Sequence, residues 1–324
     1  MKILLDGYFD HNLGDDLMIT LAARGLSGHE LYVPSRKINI ENVQYTEAES
    51  GFDMYLKVTG SGFLIHNTLG AAYRLRDMHA EKKYAPQSAV ISCNIGPFAN
   101  MVGEAAIKKH LKQFDFVTVR DKWSLEYMNK HFTNKNTLCR PDMVFSMPED
   151  MIPDVKSENL LGIAVRGTAD CKSLTRIADG YIAKTGGEAV IMCFNSGDED
   201  DLLAAQSVRD MSRAKDKIAI VRYETIEDML YVMKSCSVML CVRLHSSILS
   251  ARMGIPFVPV SYSKKTIYAL NEAGFEGKVH RSGELSEREV TAALLNPPEF
   301  KLSPAVVSAA SEHIVKFKEY LEKF

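Results

Sequence analysis

At 324 residues the chain is longer than one hydrophobic core usually serves, so its length points to two domains. Hydrophobic residues make up 46% and charged residues 25%, which excludes a disordered chain and supplies packed sheets with solvated surfaces. With 39 basic and 41 acidic side chains the formal net charge is -2, so no global field draws nucleic acid or an anionic membrane, and any anion site is local.

The opening MKILLDGY is a short apolar run ending in a glycine turn, without the basic region, longer apolar stretch and cleavage site of a signal peptide. No run nears the ~20 apolar residues needed to span a bilayer, so the expected location is the cytoplasm. From Lys2–Leu5 onward, short apolar runs alternate with segments of helical period, the pattern of parallel sheets covered by helices. Asp15–Gly25 reads as the first helix, with acids in its first turn; Tyr55–Thr59, Ala89–Cys93 and Phe116–Val119 read as further strands. Ser146–Asn159, with two prolines, four acids and little periodicity, reads as a linker. This divides the chain into residues 1–150 and 151–324.

The second half supplies strands at Leu160–Val165, Ala189–Phe194, Ile218–Val221, Ser237–Val242 and Phe257–Val260. Helices are predicted near Leu174–Lys184, Glu199–Ala214, Ile226–Ser235, Ser247–Met253 and Lys265–Ala273. Pro304–Lys323 has helical spacing and reads as a closing helix of the second domain, with a crossing back to the first as the alternative. The expected architecture is α/β, with two Rossmann-like doubly wound domains facing a cleft. The six cysteines form neither a CxxC pair nor a Cys/His group with zinc spacing and read as buried reduced thiols; no metal or cofactor is expected.

CVRLHSSILSARMGIPFVPVSYSKK, from Cys241 to Lys265, is the most informative stretch. It delivers Arg243 and His245 to the C-terminal end of a strand, where open α/β sheets bind ligands. Ser246 or Ser247 is placed to cap the following helix, whose N–H groups suit an anion, and Arg243 offers a planar fork for carboxylate or phosphate. Tyr262, Lys264 and Lys265 leave the next strand at the same edge. The competing structural reading pairs Arg243 and His245, on one side of an extended strand, with a carboxylate or carbonyl. Arg120, ending the strand in FVTVRDKWS, and Arg166, ending GIAVRG, have the same placement; a surface pair with Asp121 or Glu126 is the alternative for Arg120.

In the first loop, GYFDHNLGDD, Asn12, Asp15 and Asp16 are candidates for sugar hydroxyls, although helix capping explains the two aspartates equally well. The loop matches neither GxGxxG nor the P-loop, so nucleotide binding is not indicated there. VTGSGFLIHN adds a turn at Gly60 and Gly62 with His66 as a possible substrate contact, and CNIGP adds another turn at Gly96; ordinary structural turns are the alternative at both.

In this order, the GYFDHNLGDD loop, VTGSGFL, CNIGP, VRDKWS, PDMVF, GIAVRG and RLHSSILSARMGIPFVPVSYSKK resemble the polysaccharide pyruvyltransferase family over most of the chain. The resemblance implies a GT-B-like pair of domains, phosphoenolpyruvate as donor, a cell-surface saccharide or its lipid-linked precursor as acceptor, and a metal-independent reaction. A lipid-linked acceptor would place the protein at the periphery of a membrane. The family's donor-binding arginine falls on Arg120 and its RLH motif on Arg243, Leu244 and His245, with Ser246 and Lys264 beside them. GSGF stands here without a fuller glycine run, and SCNIGP stands where GQGIGP is common, which leaves the acceptor open. His245 is the candidate general acid for protonating the donor's methylene carbon. A nucleotide-sugar glycosyltransferase and a saccharide-binding protein without turnover are the competing functions, because the fold alone does not choose.

Overall fold

The computed structural model describes residues 1–65, 83–98, 100–133, 135, 137–167 and 169–324. These residues form two compact units: Met1–Phe9 with Asp15–Met143 and Ser308–Phe324, and Asp10–Gly14 with Val144–Val307.

The first unit begins with β1 (Lys2–Asp6) and α1 (Leu13–Gly25), whose first two residues group with the second unit. β2 (Glu30–Val33), β3 (Val43–Tyr45), β4 (Met54–Val58), β5 (Phe63–Ile65), β6 (Gln87–Cys93) and β7 (Ile95–Phe98) follow. α2 (Met101–Leu111), β8 (Phe116–Val119), α3 (Lys122–His131) and β9 (Leu138–Cys139) complete its central run. Seven strands pair in the order β3-β2-β1-β4-β6-β8-β9, all parallel, while β5 and β7 form a separate pair. β1, β4 and β6 are apolar on both faces, as a parallel sheet covered by helices requires. β2, β3 and β9 are short or polar and carry no periodic signal, which is why the sequence pattern passes over them.

In the second unit β10 (Leu160–Val165), α4 (Cys171–Thr185), β11 (Glu188–Cys193), α5 (Leu202–Met211), β12 (Ile218–Arg222) and α6 (Ile226–Ser235) alternate. They are followed by β13 (Val238–Cys241), α7 (Leu244–Met253), β14 (Phe257–Ser261), α8 (Lys264–Glu272), β15 (His280–Arg281) and α9 (Glu287–Leu295). The six strands run parallel in the order β12-β11-β10-β13-β14-β15. Leu161, Ile163, Val165, Ile191, Leu240 and Val258 fill the core beneath α4 and α5. Helix ends follow local chemistry: Asp170 caps α4 through Ser173 N–H, Thr225 caps α6 through Asp228 N–H, and Gly254, at φ 66, lets the chain leave α7 in the left-handed region.

Both units are doubly wound Rossmann-like folds. Strand order reverses between β1 and β4 in the first and between β10 and β13 in the second. Loops at the carboxyl ends of these strands are where such sheets hold ligands.

The chain division differs from a single cut at 150. The units separate between Met143 and Val144, and the expected linker is anchored within the second unit, where Arg252 Nε donates to Met147 O at 2.7 Å and Arg252 Nη1 meets Glu149 at 2.8 Å. Most of the terminal helix α10 (Pro304–Leu321) groups with the first unit. His313 is fully buried there, between Thr118 Oγ1 at 2.6 Å and Pro141 O at 2.9 Å, and Phe317 packs on Phe116. Gly25 leaves bare backbone for Ile314, whose Cγ2 lies 2.5 Å from where a Cβ would stand.

Candidate functional site

The RLH motif straddles a strand exit and a helix start. β13 ends at Cys241, Arg243 is the N-cap residue of α7, and His245 is the helix's second residue. The helix therefore starts three residues earlier than its sequence period suggests, because Leu244 and the two serines are buried on it. This corrects the picture of Arg243 and His245 side by side on an extended strand. The expected serine cap is corrected as well: α7 has no side-chain cap, and the Ser246 hydroxyl, completely buried, donates to Arg243 O at 2.6 Å. The Arg243 side chain thus places no acceptor on the first N–H groups of α7, at the helix end that favours negative charge.

Arg243 is held on two sides. Its Nε donates to Val165 O at 3.1 Å, at the end of β10, and its Nη2 pairs with Asp201 Oδ1. Only 11% of the Arg243 side chain is exposed, and Asp201 is completely buried. Asp201 precedes α5 but does not cap it; its carboxylate instead accepts from Gly167 N–H and Asn195 N–H, both at 3.0 Å. Burial pushes the Asp201 carboxyl above its ordinary pKa, while Arg243 and these two N–H groups pull against that shift. A guanidinium anchored this way cannot swing freely, so its unused edge is preset for a planar anion. Asp201 and Asn195 carry this geometry and escape sequence reading, because in SGDEDDL nothing distinguishes Asp201 from the neighbouring acids that resemble a helix start.

His245 is partly buried, with its imidazole against the backbone of Gly14; a Cβ there would come within 2.5 Å of Cε1 and closer still to Nδ1 and Cγ. Arg166 directly follows β10, and its guanidinium stacks 4.2 Å above the ring of Tyr262, which is 43% exposed and directly follows β14. Lys264 is exposed as the first residue of α8. The second unit thus gathers Arg243, Leu244, His245 and Ser246 at one loop, with Arg166 and Lys264 on neighbouring strand exits.

The remaining candidates have other surroundings. Asn12 Oδ1 accepts from Gly14 N–H at 3.1 Å, so its carbonyl shapes the turn into α1. Asp15 and Asp16 lie in the first turn of α1, with Asp16 buried. In the first unit Arg120 is buried: its Nε donates to Asn94 Oδ1 at 2.6 Å, and its Nη1 pairs with the buried Asp142 rather than with Asp121 or Glu126. Asp121 instead caps α3 through Ser124 N–H. Gly60 makes room for the Arg120 guanidinium, whose Nη2 lies 2.7 Å from where a Cβ would be. His66 lies outside the described residues. Among the described residues no group of three or more His, Cys, Asp or Glu is placed to hold a metal ion, and no helix is long and apolar enough to cross a membrane. Four of the six thiols are buried, whereas Cys139 and Cys171 are partly exposed; burial pushes Cys241 up to about 11.

The model of the polysaccharide pyruvyl transferase family matches residues 12–264, from the first loop through RLH to the start of α8. The chain belongs to the polysaccharide pyruvyl transferase family. It is therefore a transferase acting in saccharide metabolism. No curated protein matches the sequence. Among solved structures, the S. aureus MnaA structure with UDP has a TM-score of 0.62 at 12% identity, over 100% of this chain and 97% of that one. The UDP-GlcNAc 2-epimerase of Neisseria meningitidis bound to UDP-GlcNAc has a TM-score of 0.61 at 11% identity, over 100% of both chains. At such identities these likenesses carry the fold of this pyruvyl transferase family member and leave its chemistry to its own residues.

Proposed function

We propose that this pyruvyl transferase family member moves a pyruvate unit from phosphoenolpyruvate to a saccharide as a ketal, releasing phosphate. The observation that supports this most is the pairing, at the uncapped start of α7, of a preset guanidinium on Arg243 with an imidazole on His245. Phosphoenolpyruvate carries a carboxylate and a phosphate, and a dense anion of this kind calls for a rigid cation and the N–H donors of a helix start. Arg243 and the first N–H groups of α7 take the anion, with Arg166 and Lys264 as auxiliary cations and the backbone at Leu244 and Ser246 lining the turn.

His245 in its protonated form gives a proton to the methylene carbon, which becomes the methyl group. A saccharide hydroxyl attacks the adjacent carbon, and its proton returns to the imidazole. The carbon–oxygen bond to phosphate then breaks, and a second hydroxyl of the same saccharide closes the ketal as phosphate departs with the remaining proton. The donor role that the family motif suggests for Arg120 is not carried into this proposal, because its Nε and Nη1 are engaged inside the first unit. Asn12 is read as a turn former, and Asp15, Asp16 and Gly60 as structural positions.

The test is phosphate release from phosphoenolpyruvate with a panel of galactose-, mannose- and N-acetylglucosamine-containing oligosaccharides. One of them should gain the mass of pyruvate less water. The UDP ligands of the fold neighbours favour a second reading, a nucleotide-sugar donor, so the same panel is run with UDP-GlcNAc. UDP release with no turnover of phosphoenolpyruvate would replace the first reading by the second.

A further inference from the structure

The GYFDHNLGDD loop is the longest matched motif to which the proposed chemistry gives no task. Its central part, Asp10–Gly14, groups with the second unit. Three hydrogen bonds fasten it to the exit of β11: Leu13 N–H to Phe194 O at 2.9 Å, Ser196 N–H to His11 O at 3.0 Å, and Asp198 N–H to Asp10 Oδ2 at 2.7 Å. Asn12 and Asn195 form an antiparallel bridge, and His11 turns through φ 46, in the left-handed region, to make the bend. Asn195 also donates to Asp201, the partner of Arg243, so one short exit segment anchors both the loop and the arginine.

The loop ends where Gly14 meets the imidazole of His245. Gly14 has no left-handed φ, so conformational freedom does not explain a glycine there; space does. Any Cβ would overlap Nδ1, Cγ and Cε1 of the ring. Ordinary contact between such atoms begins near 3.4 Å, so even a methyl group forces the ring aside by roughly 1 Å or more.

We propose that Gly14 is a positioning residue for His245: the clasped Asp10–Gly14 loop lays a flat stretch of backbone against the imidazole and fixes where its proton is delivered. This rests on the reading of His245 as the acid. A misplacement of about 1 Å costs on the order of 100-fold in rate, whereas binding of the donor anion by Arg243 is untouched.

The experiment combines turnover and NMR on the full chain, with phosphoenolpyruvate and the best oligosaccharide of the panel. Gly14→Ala should lower kcat about 100-fold with little change in the KM for phosphoenolpyruvate, and should cost nothing further in a His245→Ala background. Gly28→Ala, at a glycine with open space around it, should leave turnover alone. The Gly14 Hα resonances, lying on the ring, should move when His245→Ala removes it. If Gly14→Ala does not fold, Asp10→Ala loosens the clasp without touching position 14 and should lower kcat in the same direction. A folded Gly14→Ala with wild-type kcat, or Gly14 Hα resonances indifferent to His245→Ala, overturns the positioning role while leaving the acid reading intact. Full turnover in His245→Ala overturns the acid reading instead, whatever Gly14 does.

Discussion

His313 makes the stability of the first unit sensitive to mild acid. It is completely buried on α10, and desolvation there holds its pKa at about 4 against an ordinary 6.5, although the hydrogen bond to Pro141 and the nearby Asp142 oppose the shift. Between those two values the unfolded chain takes up a proton that the folded chain refuses, so folding is favoured less as pH falls. The contribution is complete above pH 6.5 and is lost towards pH 4. Two and a half pKa units correspond to about 3 kcal/mol in all, of which about 2 kcal/mol is gone by pH 5. For a unit of this class that corresponds to roughly 4–8 °C in Tm. Because two units share the chain, the assay is urea unfolding at pH 7 and pH 5, following a probe confined to the first unit, such as Trp123 fluorescence. His313→Gln retains hydrogen-bonding groups and has nothing to titrate, so its loss between the two pH values should be smaller by about 2 kcal/mol. An equal pH dependence in the variant and the parent would refute the reasoning.

Two further substitutions probe the ion pairs. Asp201→Asn removes the charge that steadies Arg243; a hydrogen bond to a charged group is worth about 1.5–3 kcal/mol, so kcat/KM for phosphoenolpyruvate should fall about 10- to 150-fold. An unchanged kcat/KM in a folded Asp201→Asn would show that Arg243 does not bind the donor through this geometry. Arg120→Met leaves the Asp142 carboxylate buried without its guanidinium and should destabilise the first unit by about 3–5 kcal/mol in urea unfolding; a change below about 1 kcal/mol would mean that the pair is not structural.

Much of the fold was legible because burial on both faces leaves a mark in the sequence. β8, β10 and α6 fall on their predicted bounds, and their apolar runs and caps leave little room for other choices. Edge strands such as β3 and β9 left no such mark, since half-exposed two- and three-residue strands have no period. At the site, the placement of Arg243 and Arg166 at strand exits was readable from the βα alternation alone. Their partners were not. Asp201 is found by a buried hydrogen-bond count rather than by spacing, Arg120 turned out to face Asp142 22 residues away, and Gly14 meets His245 across 231 positions of sequence. The mistaken start of α7 has the same origin: Arg243 serves as N-cap without a side-chain bond, so the serine that looked like a cap lies inside the helix.

The central claim is that the donor's methylene carbon is protonated as its pyruvate unit passes to the saccharide. Turnover of phosphoenolpyruvate with the responsive oligosaccharide in deuterium oxide, followed by mass and proton NMR analysis of the product, measures this directly. A ketal whose methyl group carries solvent deuterium, formed with matching phosphate release and abolished by His245→Ala, is the expected result. A product with no deuterium in the methyl group, or phosphate release without any saccharide gaining mass, would contradict it.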